Sequence, residues 1–500
     1  MVLQPVQVPR AGPEPLPELE AYLRPFAALF RHPQSRPTWE SLERYVTGLL
    51  TDLPRKNCDA TAAAMAGTST ERLQHLLTDA EWDALALDEA RVRRLVALSP
   101  PGGLLVLDDT GLPKKGTASV GVAPQYCGAL GKVATCQVVV SAEYVADTPE
   151  TSTPLHWPVS ARLFLPEAWA ASAARRRRAH VPDDVRGQTK PELGLGLVDR
   201  ARAWGVPFAF VVADAGYGQA PAFLAGLEAR GVPYACGVKR TFGLRLPDEV
   251  QAAAAAPPPP YRGRGRPALP RPAPLWEAEA LLACVPDEAW EPVTWREGTK
   301  GALAKQFVAV RVHRATGNPD VGTNGRSVAH PLVTTGPEGW LLGERPLPGQ
   351  DGDPKWSFLW LPGWPLEVPL ARLVTLAHGR WVVEQFYEDA KGACGLADYQ
   401  GRRWDGLHRH LALALLTYSF LATQRRFARA SAPAPPAPAG LPPLGGRRAR
   451  RPRPPAPAAD VSGHAPPRPP LALRGPRPLD QSHRPHPPVP HAVLSPLLTK

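Results

Sequence analysis

Two apolar segments that each end at an aspartate constrain the fold of this chain most strongly. The first, LLVLDDTG, begins at Leu104, and the second, PFAFVVAD, ends at Asp214. Both have the apolar character of buried β-strands. Further strand-like segments and helical patterns lie between them, which indicates a mixed α/β core with acids at one edge of its sheet. The sequence therefore predicts an α/β fold whose chemistry lies at strand ends.

A third acid lies on a predicted helix in the segment ARLVTLAHGRWVVEQFYEDAK. Arg380, Glu384 and Lys391 are four and then seven residues apart, so their side chains project within roughly 40° of one another on a helix. Apolar residues at three- and four-residue steps support that helix. Its charged side is either a solvated face with spaced ion pairs or a carboxylate, flanked by cations, that completes a metal site with the two upstream acids.

Three acids on three separate elements suit a site for hard divalent cations. Phosphodiester transfer uses two such ions, and Mg²⁺ prefers carboxylate oxygens. Asp214 and Glu384 are candidates, together with one of the neighbours Asp108 and Asp109, because successive strand side chains face opposite sides of a sheet. The alternative for DDTG is a simple Asx-type turn.

The Arg-x3-Glu-x6-Lys spacing resembles the YREK signature of the DDE transposases of bacterial insertion sequences. Ala377 stands where that signature has its tyrosine. The segments DDTGLPKKGTASVGVAPQYCGALGKVATCQV and VVADAGYG are also similar to this family, and the resemblance covers about residues 20–425. It favours Asp108 over Asp109 as the metal ligand and selects Glu384 over Glu388.

This resemblance implies an RNase H-like core that binds two Mg²⁺ ions, with Mn²⁺ as a substitute. The implied catalytic and metal-binding residues are Asp108, Asp214 and Glu384, with Asp109 behind them. The implied activity is cleavage of a DNA strand at the end of the element, followed by strand transfer. The partners would be double-stranded DNA, as element ends and target, and a second copy of the chain. The predicted contacts to DNA are Arg380, Lys391, Lys114, Lys115, Tyr217 and Arg402.

Composition and periodicity divide the chain into six segments. We expect a flexible amino terminus, a helical DNA-binding domain, two parts of the core separated by a β-rich insertion with a Pro/Arg-rich loop, and a disordered tail. The helical segment contains a helix–turn–helix-like stretch, RKNCDATAAAMAGTSTERLQHLL, a pattern that plain helical bundles share. The segments are residues 1–15, 16–99, 100–240, 241–365, 366–430 and 431–500, and the last core segment carries Glu384.

The net charge of +12 gives only weak support for nucleic-acid binding by the folded part. Residues 431–500 carry +8 of it, which leaves +4 for the rest of the chain. The same segment holds 21 prolines, so we expect it to be disordered, and a frameshift in a GC-rich gene would explain it.

Cysteine usage and hydropathy predict a cytoplasmic, nucleoid-associated bacterial protein. The six cysteines form no C-x-x-C pair, which indicates a reducing compartment without disulfides or zinc. The chain has no apolar run of about 18 residues and no signal-peptide pattern, so we expect no contact with a membrane.

Two other functions remain open from the sequence. A metal-dependent nuclease without strand transfer would use the same acids. A non-catalytic or decayed transposase would bind DNA through its helical segment alone. The three acids and both flanking cations favour an active site, whereas the tail favours damage elsewhere in the gene.

Overall fold

A computed structural model describes residues 16–30, 38–146, 154–257, 263, 272–298, 301–316, 334–365 and 367–430. The amino-terminal segment 1–15 and the tail 431–500, for which we predicted flexibility and disorder, lie outside these residues. Most of the Pro/Arg-rich loop also lies outside them. The described residues form one twelve-stranded mixed sheet with helices on both faces.

The elements are numbered in chain order. The strands are β1 (Gly103–Pro113), β2 (Ala123–Cys127), β3 (Lys132–Ala146), β4 (Leu155–Phe164), β5 (Phe208–Ala213), β6 (Tyr234–Val238), β7 (Gly243–Arg245), β8 (Trp276–Glu277), β9 (Glu291–Gly298), β10 (Gly301–Thr316), β11 (Thr334–Arg345) and β12 (Lys355–Trp360). The α-helices are α1 (Pro17–Leu23), α2 (Thr38–Leu50), α3 (Cys58–Ala64), α4 (Thr70–Thr78), α5 (Ala84–Val96), α6 (Glu167–Ala170), α7 (Ala173–Arg178), α8 (Lys190–Ala203), α9 (Ala215–Gly218), α10 (Pro221–Ala229), α11 (Pro247–Ala255), α12 (Ala278–Ala283), α13 (Leu370–His378), α14 (Val382–Gly392) and α15 (Trp404–Ala430). Short 3₁₀ segments lie at Arg24–Phe30, Gly128–Leu130, Asp287–Ala289 and Gly379–Trp381.

The sheet combines a five-stranded core with an extension. In the core the order is β4-β3-β1-β5-β6, where β3 is antiparallel to β1 and β4, and β1, β5 and β6 are parallel. This mixed arrangement is consistent with the RNase H-like core expected from the sequence. Strand β12 pairs antiparallel with β6, and β11, β10, β7 and β8 follow it. The strands between residues 243 and 360 therefore continue the core sheet.

Strand β1 separates two layers of helices because its side chains alternate between the faces of the sheet. Leu105 and Leu107 belong to a buried cluster with residues of α8, α9 and α10. Val106 and Leu112 belong to another cluster with residues of α14 and α15. Successive side chains of β1 therefore pack against different layers of helices.

The amino-terminal helices share their core with α15. Side chains of α2 and α4 lie in the same buried cluster as the middle of α15. The Tyr45 hydroxyl lies 2.8 Å from Nδ1 of His410, and the Arg409 guanidinium donates to the carbonyl of Thr78 at 2.8 Å. Among the described helices, α15 included, none combines the length and apolar character that a membrane crossing requires.

Arg91 of α5 ties the helical segment to strand β4. The β3–β4 ladder shifts register beside Val159, and the carbonyls of Pro158 and Val159 accept hydrogen bonds from the buried guanidinium at 2.5 and 2.8 Å. Asp88 balances the charge at 2.8 Å. One side chain thus satisfies carbonyls at the register shift and pairs with a buried acid.

Replacing Arg91 by methionine will destabilise the protein by about 3–5 kcal/mol, because the change leaves Asp88 buried without its cation. The measurement is the denaturant midpoint of unfolding. Arg93→Met is the matched control on the same helix, since the Arg93–Glu89 pair is exposed and contributes less than about 1 kcal/mol. Equal losses in the two variants would contradict this account of β4.

Candidate active site

Asp108 and Asp109 face opposite layers, as strand alternation requires. Asp108 lies opposite Ser141 of β3, and its Oδ2 is 2.6 Å from Nη1 of Arg380. Asp109 points toward α8, where its Oδ1 is 2.9 Å from Nζ of Lys190. Strand β1 continues five residues beyond Asp108, to Pro113, so the two acids lie within the strand and not at the end that the sequence suggested. Each acid therefore forms an ion pair with a cation on its own face of the sheet.

Asp214 follows β5 and lies beside Asp108. Leu107 is the register partner of Ala213, which places the next residue of each strand at the same level of the sheet. The Oδ1 atom of Asp214 accepts hydrogen bonds from the backbone N–H of Gly216 at 2.8 Å and of Tyr217 at 3.4 Å. Its Oδ2 atom has no hydrogen bond within the described residues and is available to a ligand.

Crowding of carboxylates changes the proton affinity of Asp108. The pKa of Asp108 is raised to about 6 overall. Burial is the largest cause, the Arg380 guanidinium opposes it, and the charges of Asp214 and Asp109 add to it. Burial also raises the pKa of Asp109, against the opposing effect of Lys190. Like charges held close together out of water favour either a shared proton or a bound cation.

The segment carrying Arg380 is not the single helix that its periodicity predicts. Helix α13 ends at His378, residues 379–381 form a 3₁₀ turn, and α14 begins at Val382. A Cβ on Gly379 would lie 2.2 Å from Cδ1 of Leu104, so a larger residue would require the Leu104 side chain to move where this turn contacts β1. Arg380 is thereby brought to Asp108. Burial lowers the pKa of Arg380, but the charges of Asp108, Asp214 and Glu384 outweigh it, so the pKa is raised.

Glu384 and Lys391 occupy the same side of α14 in different settings. Glu384 is exposed in the first turn and has no hydrogen bond or ion pair within the described residues. The Lys391 ammonium group donates to Oγ1 of Thr110 at 2.6 Å, and burial lowers its pKa. The described residues contain no set of three His, Cys, Asp or Glu side chains close enough to hold a metal ion. Glu384 and the two aspartates therefore form no closed set of ligands in this structure, although the charges of all three act on Arg380.

Two tyrosines line the acids. The Tyr217 hydroxyl is buried and has no hydrogen-bond partner within the described residues. Burial raises its pKa, and the charges of Asp109, Asp108 and Asp214 add to that effect. The Tyr387 hydroxyl lies 2.7 Å from Oγ of Ser141, the register partner of Asp108. Sequence reasoning missed Tyr387, although its place three residues after Glu384 and four before Lys391 puts it on the same helix face.

The predicted basic contacts differ in accessibility. Lys114 donates to the carbonyls of Ala397 and Tyr399, and burial lowers its pKa to about 8. Lys115 and Arg402 are exposed. Their loops adjoin, since the N–H of Val120 donates to the carbonyl of Arg402 at 3.1 Å. Lys190, which binds Asp109, carried no sequence signal beyond the capping box of Thr189 and Glu192 at the start of α8.

Asp108→Asn will stabilise the protein at neutral pH by roughly 1–3 kcal/mol. The folded-state pKa of about 6 exceeds the ordinary value of 3.8, so the folded chain binds this proton more tightly than the unfolded chain does. The unfolding free energy of the parent consequently falls as pH rises from about 4 to about 6, whereas asparagine does not titrate.

Melting temperatures of parent and variant between about pH 4 and about pH 7 measure this difference. The advantage of the variant should grow across that window and then level off. Asp183→Asn, at an exposed position, is the control. A difference between parent and Asp108→Asn that is independent of pH would refute the assignment of a raised pKa to Asp108.

Comparison with known proteins agrees with this geometry. A family model described as DDE superfamily endonuclease matches residues 25–302, more than half of the chain. The match includes Asp108 and Asp214 and ends before Glu384. A probable transposase for insertion sequence element IS701 from Microchaete diplosiphon is 27% identical over 212 residues, 42% of this chain and 50% of that protein. The chain thus spans about half the length of the curated relative it matches. The resemblance seen in the sequence is confirmed at this level: the chain belongs to the DDE superfamily endonucleases.

Proposed function

We propose that the protein is a transposase that cleaves DNA at the ends of an insertion sequence and transfers the freed strand to a target. The observation that carries the proposal is the placement of Asp108 and Asp214 on neighbouring parallel strands, beneath the turn and helix that bear Arg380 and Glu384. The IS701 relative is described as a probable transposase, which supports the same activity. Asp108, Asp214 and Glu384 are the proposed catalytic residues.

The chemistry of these donors fits the divalent metal ions on which such an activity depends. We propose two Mg²⁺ ions, with Mn²⁺ as a substitute, which would activate the attacking oxygen and stabilise the leaving oxygen. Asp108 and Asp214 supply neighbouring carboxylates with mutually unfavourable charges. Glu384 would supply the third, with Asp109 behind the site because its carboxylate faces α8.

Arg380 occupies the oxygen of Asp108 that a cation would bind. The guanidinium at 2.6 Å from Oδ2 balances the acid in this structure. If Asp108 held a metal ion instead, the Arg380 guanidinium would be free on that side of α14 to orient a DNA phosphate. Lys391 lies one turn beyond Tyr387 on α14, and its ammonium group donates to Thr110. It adds a second positive charge on that side of the helix. We assign both residues to phosphate contacts beside the cleaved bond.

The wider DNA surface would include the adjoining loops that carry Lys115 and Arg402 and the helix pair α3 and α4. Helix α4 is capped by Ser69, whose Oγ accepts from the N–H of Arg72 at 3.3 Å, and Gln74 and His75 are exposed on it. We propose that this pair recognises the ends of the element and that two copies of the chain act on paired ends. Tyr217 and Lys114 are better placed to support the site from within, since Tyr217 is buried and Lys114 binds two carbonyls.

Two alternatives use the same structure differently. A nuclease without strand transfer would keep the three acids, and joining assays on pre-cleaved ends separate it from a transposase. A DNA-binding protein without catalysis is favoured by one observation, that exposed Glu384 forms no three-residue metal-binding set with the aspartates within the described residues. Binding of end DNA without any nicking in Mg²⁺ or Mn²⁺ would establish that alternative.

Nicking of a duplex that carries the element's own end should require Mg²⁺ and each of the three acids. Asp108→Asn, Asp214→Asn and Glu384→Gln should each lower the rate at least about 100-fold, because a lost metal ligand removes several kcal/mol of transition-state stabilisation. The measurement is the single-turnover rate on end-labelled DNA, with gel-shift binding as the test of intact folding.

Glu388→Gln is the matched control for Glu384. It lies one turn further along α14 and is also exposed, so its nicking rate should stay within about threefold of the parent. Equal losses at Glu384 and Glu388 would remove Glu384 from the site. Full activity of the Asp214 variant would reject the metal-site proposal itself.

A further inference from the structure

A cavity with several polar side chains in its wall lies at the free edge of strand β4, and none of the acids of the candidate active site lines it. Its volume is about 340 Å³, and side chains from β4, α5, α8 and α15 line it. Ser160, Arg162, Arg200 and His408 supply its polar wall. We propose that this cavity binds a terminal phosphate group, either inorganic phosphate or a phosphate monoester.

Two guanidinium groups in the cavity lack an anionic partner. Within the described residues, neither Arg162 nor Arg200 has a carboxylate oxygen within 4 Å, and the one hydrogen bond of the pair runs from Nη1 of Arg200 to Oγ of Ser160 at 3.0 Å. Burial lowers the pKa of both groups, and the charge of Arg162 lowers that of Arg200 further against the opposing charge of Asp88. Two half-buried cations that repel each other form a site whose energy falls when an anion enters.

The acids around the cavity are already engaged. Asp88 accepts from Arg91 at 2.8 Å and from Ser160 at 3.1 Å. Asp405 is paired with Arg403, and Asp83 caps α5 by accepting from the N–H of Leu85 at 2.6 Å. Asp184 is exposed and favours the charge of Arg162 from beyond ion-pair distance. Asp88 favours the charge of Arg200 in the same way, but within the described residues none of these carboxylates forms an ion pair with Arg162 or Arg200.

His408 selects the protonation state of the anion. Its Nδ1 lies 2.9 Å from the carbonyl oxygen of Trp404, so Nδ1 carries the proton and Nε2 carries the lone pair. That Nε2 is buried without a hydrogen-bond partner within the described residues. A hydrogen phosphate group offers oxygen acceptors to the two arginines and an O–H donor to Nε2. Sulfate and the phosphodiesters of an uninterrupted DNA strand have no such O–H.

Thermal unfolding of the full chain in phosphate, sulfate and chloride at equal ionic strength tests the proposal. Phosphate should raise the melting temperature of the parent above its value in sulfate by at least about 2 °C. Arg162→Gln and Arg200→Gln should lose that difference and melt in chloride at least as high as the parent, because each removes one of two repelling charges. Arg177→Gln, at an exposed position of α7, is the control and should keep the difference.

Competition with oligonucleotides identifies the source of the phosphate. A 5′-phosphorylated strand that binds more tightly than its 5′-hydroxyl twin, with a difference that depends on Arg162, would identify a DNA end, whereas an effect of inorganic phosphate alone would identify the free ion. Equal stabilisation by phosphate and sulfate in all variants would overturn the proposal, as would an equal loss of stability by the arginine variants in every buffer. None of these readouts depends on nicking, so this inference and the proposed function fail separately.

Discussion

The ion pair between Arg380 and Asp108 fixes the turn before α14 over strand β1, although it offsets only part of the cost of burying the acid. Strand β1 carries two acids in succession, and alternation along the strand sends them to opposite layers. Each would be an uncompensated charge within the fold without a cation from its own layer. Arg380 supplies one cation from the turn before α14, and Lys190 supplies the other from the start of α8. The two ion pairs therefore tie both layers of helices to strand β1.

The strand-rich extension braces the turn that carries Arg380. The guanidinium of Arg296 lies 3.2 Å from the ring centre of Trp381, and the ring of Trp295 stacks on His378 at 4.2 Å. Nε2 of His378 is 3.1 Å from Glu344, which also binds Lys305. The residues on both sides of Arg380 are thus fixed by strands β9, β10 and β11. A shift of this extension would therefore move the guanidinium relative to Asp108.

The sequence predicted the strands that carry the candidate acids better than it predicted the surroundings of those acids. Apolar runs marked β1 and β5 because buried strands have few other compositions, and alternation correctly implied that Asp108 and Asp109 diverge. The break at Gly379 left no trace in the periodicity, and the turn it forms contacts Leu104, which is distant in sequence. Lys190 and the use of Lys114 for internal carbonyls depend on tertiary packing in the same way. Local patterns report which face is buried, whereas the partner of a charge depends on how distant elements meet.

The most direct test of the central claim is the affinity of the protein for Mn²⁺ in the absence of DNA, measured by calorimetric titration. If Asp108 exchanges Arg380 for a divalent cation, Arg380→Gln should bind Mn²⁺ roughly tenfold more tightly than the parent, because the competing cation is gone. Asp108→Asn should bind it more weakly. Tighter binding in the arginine variant together with weaker binding in the aspartate variant would establish the exchange. Unchanged or weaker binding by Arg380→Gln would show that Arg380 belongs to the site in a different role.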